Sequence, residues 1–181
     1  MNKRPIRDIC NLFTGVPFSN RDFSEAGDIA VVLLRDAANG QVNLSGLKRT
    51  NIPVPPNRYL KQGDVLFKAR GHALEAVAVK QQPTNTIVTN GFIVLRSRGE
   101  VEAQYLAWAL NQVNFDRMAQ QTASIKSISI RDLRDLEIPV PDMAAQQKTV
   151  TILNEIQTGR QLAQTYFDEA ETYLRGSVFK S

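Results

Sequence analysis

Two stretches of this chain carry side chains suited to holding a polyanion. Lys68, Arg70 and His72 surround an Arg-Gly pair at the end of an apolar run, where a strand would end in a turn and let them project together. Ser124, Lys126, Ser127 and Ser129 form a polar stretch, and Arg131 follows in the first turn of a short helix. The N-terminus of such a helix can itself receive a phosphate. A third, smaller group is Lys48, Arg49 and Asn51, in a basic stretch before a proline run. The chemistry is that of nucleic-acid contact. Arg binds guanine through two hydrogen bonds, and Asn or Gln does the same with adenine. Lys, Ser and Thr hold phosphates and fix register. Arg96 and Arg98 are weaker candidates of the same kind. The plainer alternative for each is a solvated surface charge.

Bond-making chemistry finds little to work with. His72 is the only histidine and Cys10 the only cysteine. A lone cysteine forms no internal disulfide and cannot build a multi-cysteine zinc site. Cys10 reads as a small buried apolar residue. The sequence has no phosphate-binding Walker loop, no dinucleotide glycine fingerprint and no Gly-x-Ser-x-Gly elbow. No carboxylate pair is spaced for acid–base work. We therefore expect no catalytic residue, no metal and no cofactor.

Charge points the same way as the side chains. The net charge is +4, but it is uneven. Residues 1–140 hold 18 Lys and Arg against 13 Asp and Glu, an excess of five; residues 141–181 hold 4 against 5. A basic first part suits phosphate contacts. There is no apolar run near the ~20 residues of a membrane span, and no leader pattern in residues 1–13. The expectation is a cytoplasmic protein with no membrane contact.

The elements that must position these residues read as short strands, then helices. Ile29–Leu34 is an unbroken, β-branched run suited to a buried strand. Ala38-Asn39-Gly40 signals a tight turn, and Val42 and Leu44 alternate with polar neighbours. Ile52–Pro56 is an edge or an extended connection, because Pro donates no ladder hydrogen bond. Strands are expected at Asp64–Lys68, Ala73–Lys80, Thr86–Thr89 and Phe92–Arg96. Helical spacing follows over Val101–Gln112, a second short helix over Asn114–Gln121, a polar loop over Thr122–Ser129, and a short helix over Ile130–Leu136 with Ser129 as its cap. Phe13, Phe18, Phe23, Phe67, Phe92 and Trp108 read mostly as core, not as base-stacking residues. The fold class is α+β: a curled mixed β-sheet with short helices, followed by one long C-terminal helix.

That helix, from about Asp142 to Arg175, carries Val150, Leu153, Ile156, Ala163, Phe167, Ala170 and Leu174 as an apolar seam of alternating three- and four-residue steps, with Arg160 as a break. About 33 residues at about 1.5 Å each reach about 50 Å, more than a small domain can cover. The seam predicts a coiled-coil partner, most economically a second copy of this chain. Folding back onto its own domain is the alternative.

Five segments, in order, resemble the type I restriction-modification specificity subunits. Tyr59–Gly71 resembles their Leu-Lys-x-Gly-Asp strand entry and Arg-Gly turn. Phe92–Arg96 resembles the strand that follows, and Tyr105–Asn111 the Tyr-Leu…Leu-Asn helix. Ile130–Pro141 resembles the Leu…Ile-Pro-x-Pro junction, and Met143–Leu153 the glutamine-containing start of the family's long helix. The resemblance implies a DNA target-recognition domain over residues 1–140 and a helical dimerisation or spacer segment over residues 141–181. It implies that a DNA methyltransferase (modification) subunit docks on the helix, that a restriction or translocase subunit can join the complex, and that partner subunits do the chemistry. Family members usually hold two recognition domains. This chain holds one, as a half-subunit or a fragment would, and a homodimer would read two identical half-sites. A competing expectation is an assembly or regulatory protein that binds methyltransferase subunits without reading DNA sequence.

Overall fold

A computed structural model describes residues 2–118, 120–122 and 125–178. The chain opens with a strand, β1 (Lys3–Pro5), a one-turn helix α1 (Ile6–Ile9) and β2 (Cys10–Thr14). The sequence gives little warning of these three. Ile6 and Ile9 are one turn apart, and both are buried.

The apolar run at residue 29 forms β3 (Ile29–Val32), buried at every position. Asn39 and Gly40, both at positive φ (54° and 72°), then turn a two-residue hairpin between β4 (Ala37–Ala38) and β5 (Gln41–Val42). Positive φ at both central residues is what that turn demands, and Asn-Gly supplies it with least strain. Next come β6 (Lys48–Thr50), β7 (Asp64–Lys68), β8 (Arg70–Gly71), β9 (Ala76–Ala78), β10 (Thr86–Val88) and β11 (Phe92–Ser97). Helix α2 (Ala103–Asn111) follows, and then a short hairpin of β12 (Gln120–Thr122) and β13 (Ile125–Ser127). Helix α3 (Ile130–Asp135), β14 (Glu137–Pro139) and the long α4 (Met143–Val178) complete the chain.

Among the described residues the strands divide into five small sheets, mixed because β3 and β10 run parallel while the other strand pairs are antiparallel. The central sheet has the order β2-β11-β7-β9. Strand alternation gives it two buried faces. Val65, Phe67, Ile93 and Leu95 face a core shared with α1, α2 and α3. Leu66, Phe92 and Val94 face a second core with Val32 and Val88 of the β10-β3-β6 sheet. Cys10 is buried in the first core, as are Phe67 and Phe115. Phe92 is buried in the second, while Phe13, Phe18 and Phe23 are half-buried around the second and third.

Three expectations need correction. Asn114–Gln121 is not a helix: a single 3-10 turn, Phe115–Arg117, is started by the Asn114 side chain accepting from the Asp116 amide (3.0 Å), and β12 follows. Thr122–Ser129 is not a loop: β13 pairs with both β12 and β8. Ala73–Lys80 shortens to Ala76–Ala78, because the chain must first leave the Arg70-Gly71 strand. For β13 the pairing with β8, far earlier in the sequence, overrides local pattern.

Candidate nucleic-acid interface

The pairing of β8 with β13 brings the first two basic groups together. Arg70 stands opposite Ser127 and Gly71 opposite Lys126, and the Ile128 amide donates to the Ala69 carbonyl at 2.9 Å. Gly71 has φ 142°, a conformation that side chains disfavour, so the turn after β8 requires glycine. The β12-β13 register extends the rows: Gln120 lies opposite Ser127, and Gln121 opposite Lys126. Arg70 and Ser127 therefore share a row across β8 and β13. Residues directly opposite one another in a pleated sheet point to the same face.

The cations differ in how free they are. Arg70 and His72 are exposed, and among the described residues neither finds an ion-pair or side-chain hydrogen-bond partner. Arg131 is likewise exposed and uncommitted in the first turn of α3. Lys126 donates to Asp116 Oδ1 at 2.5 Å, so its charge is partly neutralised. Lys68 is further from a contact role. Its ammonium pairs with Glu75 Oε2 at 3.2 Å, and only 15% of its side chain is exposed. Ser129 caps α3: the Asp132 amide donates to Ser129 Oγ at 3.1 Å. That amide is therefore already satisfied. Ser124 lies outside the described residues.

The third group belongs to a different sheet, on β6 beside β3. The Lys48 ammonium sits 4.7 Å from the centre of the Phe23 ring. Arg49 donates through Nε to the Gly27 carbonyl and through Nη2 to the Asp28 carbonyl (3.0 Å). Asn51 accepts from the Asp28 amide at 2.9 Å. These side chains brace the loop before β3. Arg98 donates to Asn11 Oδ1 at 3.1 Å, and Arg96 is bound to Asp64. Sequence reasoning missed Arg117, which is exposed in the 3-10 turn next to the Asp116 that holds Lys126. Its signal was hidden by the helix expected there. Among the described residues, no three or more His, Cys, Asp or Glu side chains gather as a metal site.

The expected seam on α4 divides in two. Val150 packs on the domain's own core and Leu153 is half-buried. Ile156, Ala163, Phe167, Ala170 and Leu174 are exposed. Phe167 and Leu174 are 67% and 58% exposed. The seam's first turns therefore serve the domain, and its remaining turns stand clear of it. No helix among the described residues is long and apolar enough to cross a membrane.

A family profile described as the type I restriction modification DNA specificity domain matches residues 1–169. The chain belongs to that family. The fold of this specificity domain is shared with solved structures. The HsdS subunit from Thermoanaerobacter tengcongensis aligns with a TM-score of 0.66 and 18% identity, over 87% of this chain and 37% of that one. A chain from a type I R-M system, solved in work on its complex assembly and conformational transition, aligns at 0.70 and 19%, over 94% and 41%. The type I restriction-modification S subunit from M. genitalium aligns at 0.60 and 20%, over 97% and 44%. The specificity domain thus spans less than half the length of these solved chains. A search of curated proteins gave no match.

Proposed function

We propose that this specificity domain is the sequence-specific DNA-recognition part of a type I restriction-modification or related defence complex, directing a partner methyltransferase subunit to a bipartite site. The observation that carries the reading is the β8–β13 pairing, which sets Arg70 opposite Ser127 and Gly71 opposite Lys126 and so brings the two polar segments together, within a chain of this family. Arg70, Arg117 and Arg131 supply exposed positive charge, and His72 an exposed polar side chain, for base edges and phosphates. Residues 1–140 act as the recognition unit and residues 141–181 as a helical dimerisation and spacer segment. The exposed apolar stripe from Ile156 to Leu174 favours a homodimer through α4, and the modification subunit docks on the same helical region. Restriction or translocase subunits join through that complex. Transfer and cleavage chemistry belongs to partners, and the assembly works in the cytoplasm.

The test is co-expression with type I modification subunits, followed by purification and methylome mapping. The expected result is a stable complex that methylates one two-part sequence. Partner binding without any sequence preference would instead support the assembly-protein reading.

A further inference from the structure

One buried polar side chain is unexplained by DNA contact. Gln146, in the first turn of α4, is 1% exposed. Its amide is fully used on main chain outside its own helix. Oε1 accepts from the Glu102 amide at 2.8 Å, and Nε2 donates to the carbonyls of Glu100 (3.1 Å) and Pro141 (2.9 Å). Glu102 is also the N-cap of α2, where its carboxylate accepts from the Tyr105 amide at 2.8 Å. One glutamine therefore joins the starts of two helices and the loop between β11 and α2. Removing such a side chain leaves these backbone groups without that partner.

A second attachment lies further along α4. Lys80 Nζ, just past β9, donates to Gln157 Oε1 at 3.0 Å and reaches Asn154 Oδ1 at 3.5 Å. Val150 packs on the core between the two points. Gln146, Val150, Leu153 and Gln157 lie along one side of the helix, and Ile156, Ala163, Phe167, Ala170 and Leu174 lie about a quarter-turn away. Docking to the domain thus leaves the apolar stripe free. Residues 158–177 are exposed throughout.

We infer that Gln146 and Lys80 fix the angle at which α4 leaves the recognition domain, and so set the spacing of the two half-sites that a dimer reads. This rests on the dimeric, bipartite reading given above. Two points separated by about 16 Å along the axis, at about 1.5 Å per residue, constrain a direction where one would act as a pivot. Beyond Gln157 about 32 Å of helix remain, so a swing of about 10° moves its tip by about 5 Å. That exceeds the ~3.4 Å step between base pairs. Gln146 is a positioning residue: it touches no DNA, and its effect reaches DNA through the helix.

The test measures the angle first and its consequence second. Spin labels on Ser45→Cys and Gln164→Cys of the full chain, diluted with unlabelled chain, report the distance from domain to helix. The sole native thiol, Cys10, is buried and stays unlabelled. The expected result is one narrow distance distribution, broadened in Gln146→Leu and in Lys80→Ala, with Lys80→Arg restoring it. A broad distribution in the parent protein overturns the inference even where Gln146→Leu fails to fold. So does a narrow one retained in both folded variants. Selection from DNA with randomised spacers then reads the consequence. Gln146→Leu should lose spacer discrimination while its affinity for a single half-site stays unchanged. Unchanged spacer preference alongside broadened distances overturns the link to spacing. A parent protein with no two-part preference refutes the DNA reading itself, and the distances then judge the clamp alone.

Discussion

Asp64 on β7 and Arg96 on β11 stand directly opposite each other and meet in a two-point ion pair, Nε to Oδ1 at 2.7 Å and Nη2 to Oδ2 at 2.8 Å. The same guanidinium donates to the Tyr59 carbonyl at 2.8 Å, and Asp64 also accepts from the Lys61 amide at 2.8 Å. Asp64 is 1% exposed. The pair ties the turn before β7 to the central sheet, and it commits the Arg96 guanidinium to these internal partners.

Arg96→Ala should therefore destabilise the fold by about 3 kcal/mol, because it leaves a buried carboxylate unpaired. The value sits at the low end of that range because the Arg96 side chain is still 22% exposed. Urea unfolding checks this. A change below about 0.5 kcal/mol, the level of an ordinary surface substitution, would mean that the pair contributes little.

Arg70→Ala should weaken DNA binding and reduce the salt slope by about one. Lys126→Ala should do less, since Asp116 already offsets that charge. Titration of labelled duplex at several salt concentrations separates the two. Unchanged affinity in both variants would remove the β8–β13 surface from the interface.

Phe167→Glu combined with Leu174→Glu should convert a dimer to a monomer while changing domain stability by no more than about 0.5 kcal/mol, as both side chains are exposed. Leu153→Glu should act differently and loosen the docking of α4, because Leu153 is half-buried. Sedimentation velocity with parallel thermal melts distinguishes them. A dimer that survives the double substitution would refute the seam.

Burial pushes the Cys10 thiol from its ordinary 9.0 up to about 12, with Arg98 pulling weakly the other way. The folded state thus holds the thiol proton more tightly than the unfolded chain does. The resulting stabilisation is complete below about pH 9 and is lost as pH rises towards about 12. A thiol reagent at pH 8 should leave Cys10 unmodified in the native protein and react fully in urea. Rapid native labelling would contradict the burial.

Ser129→Ala should cost about 1 kcal/mol, the usual loss for an N-cap whose oxygen satisfies a backbone amide. A thermal melt that does not shift would show that Asp132, which Ser129 Oγ also contacts at 2.6 Å, can take over the cap.

Much of the fold was legible because it was written locally. The β-branched run at Ile29, the Asn39-Gly40 turn, the Asp64–Lys68 strand and the Ser129 cap each follow from residue type and near neighbours. The β12-β13 hairpin was not, since its polar residues become strands through pairing with each other and, for β13, with β8, more than fifty residues earlier in the chain. The same reason limited the reading of the interface. Charge was visible, but its pairing was not: Glu75 pairs with Lys68, and backbone carbonyls occupy Arg49. The apolar period of α4 reads in the sequence as one repeat. Its division between domain and solvent depends on where Gln146 and Lys80 attach, which no periodicity encodes.

Strand β1 pairs with β14, Lys3 opposite Pro139, so the recognition fold starts and finishes at one place, beside the root of α4. A segment whose two ends meet can be exchanged between chains, or copied in tandem, with small disturbance to what flanks it. Under the proposed DNA-recognition function, changing the sequence that is read would be a matter of replacing a cassette on an unaltered helical mount, leaving target choice and assembly free to evolve separately.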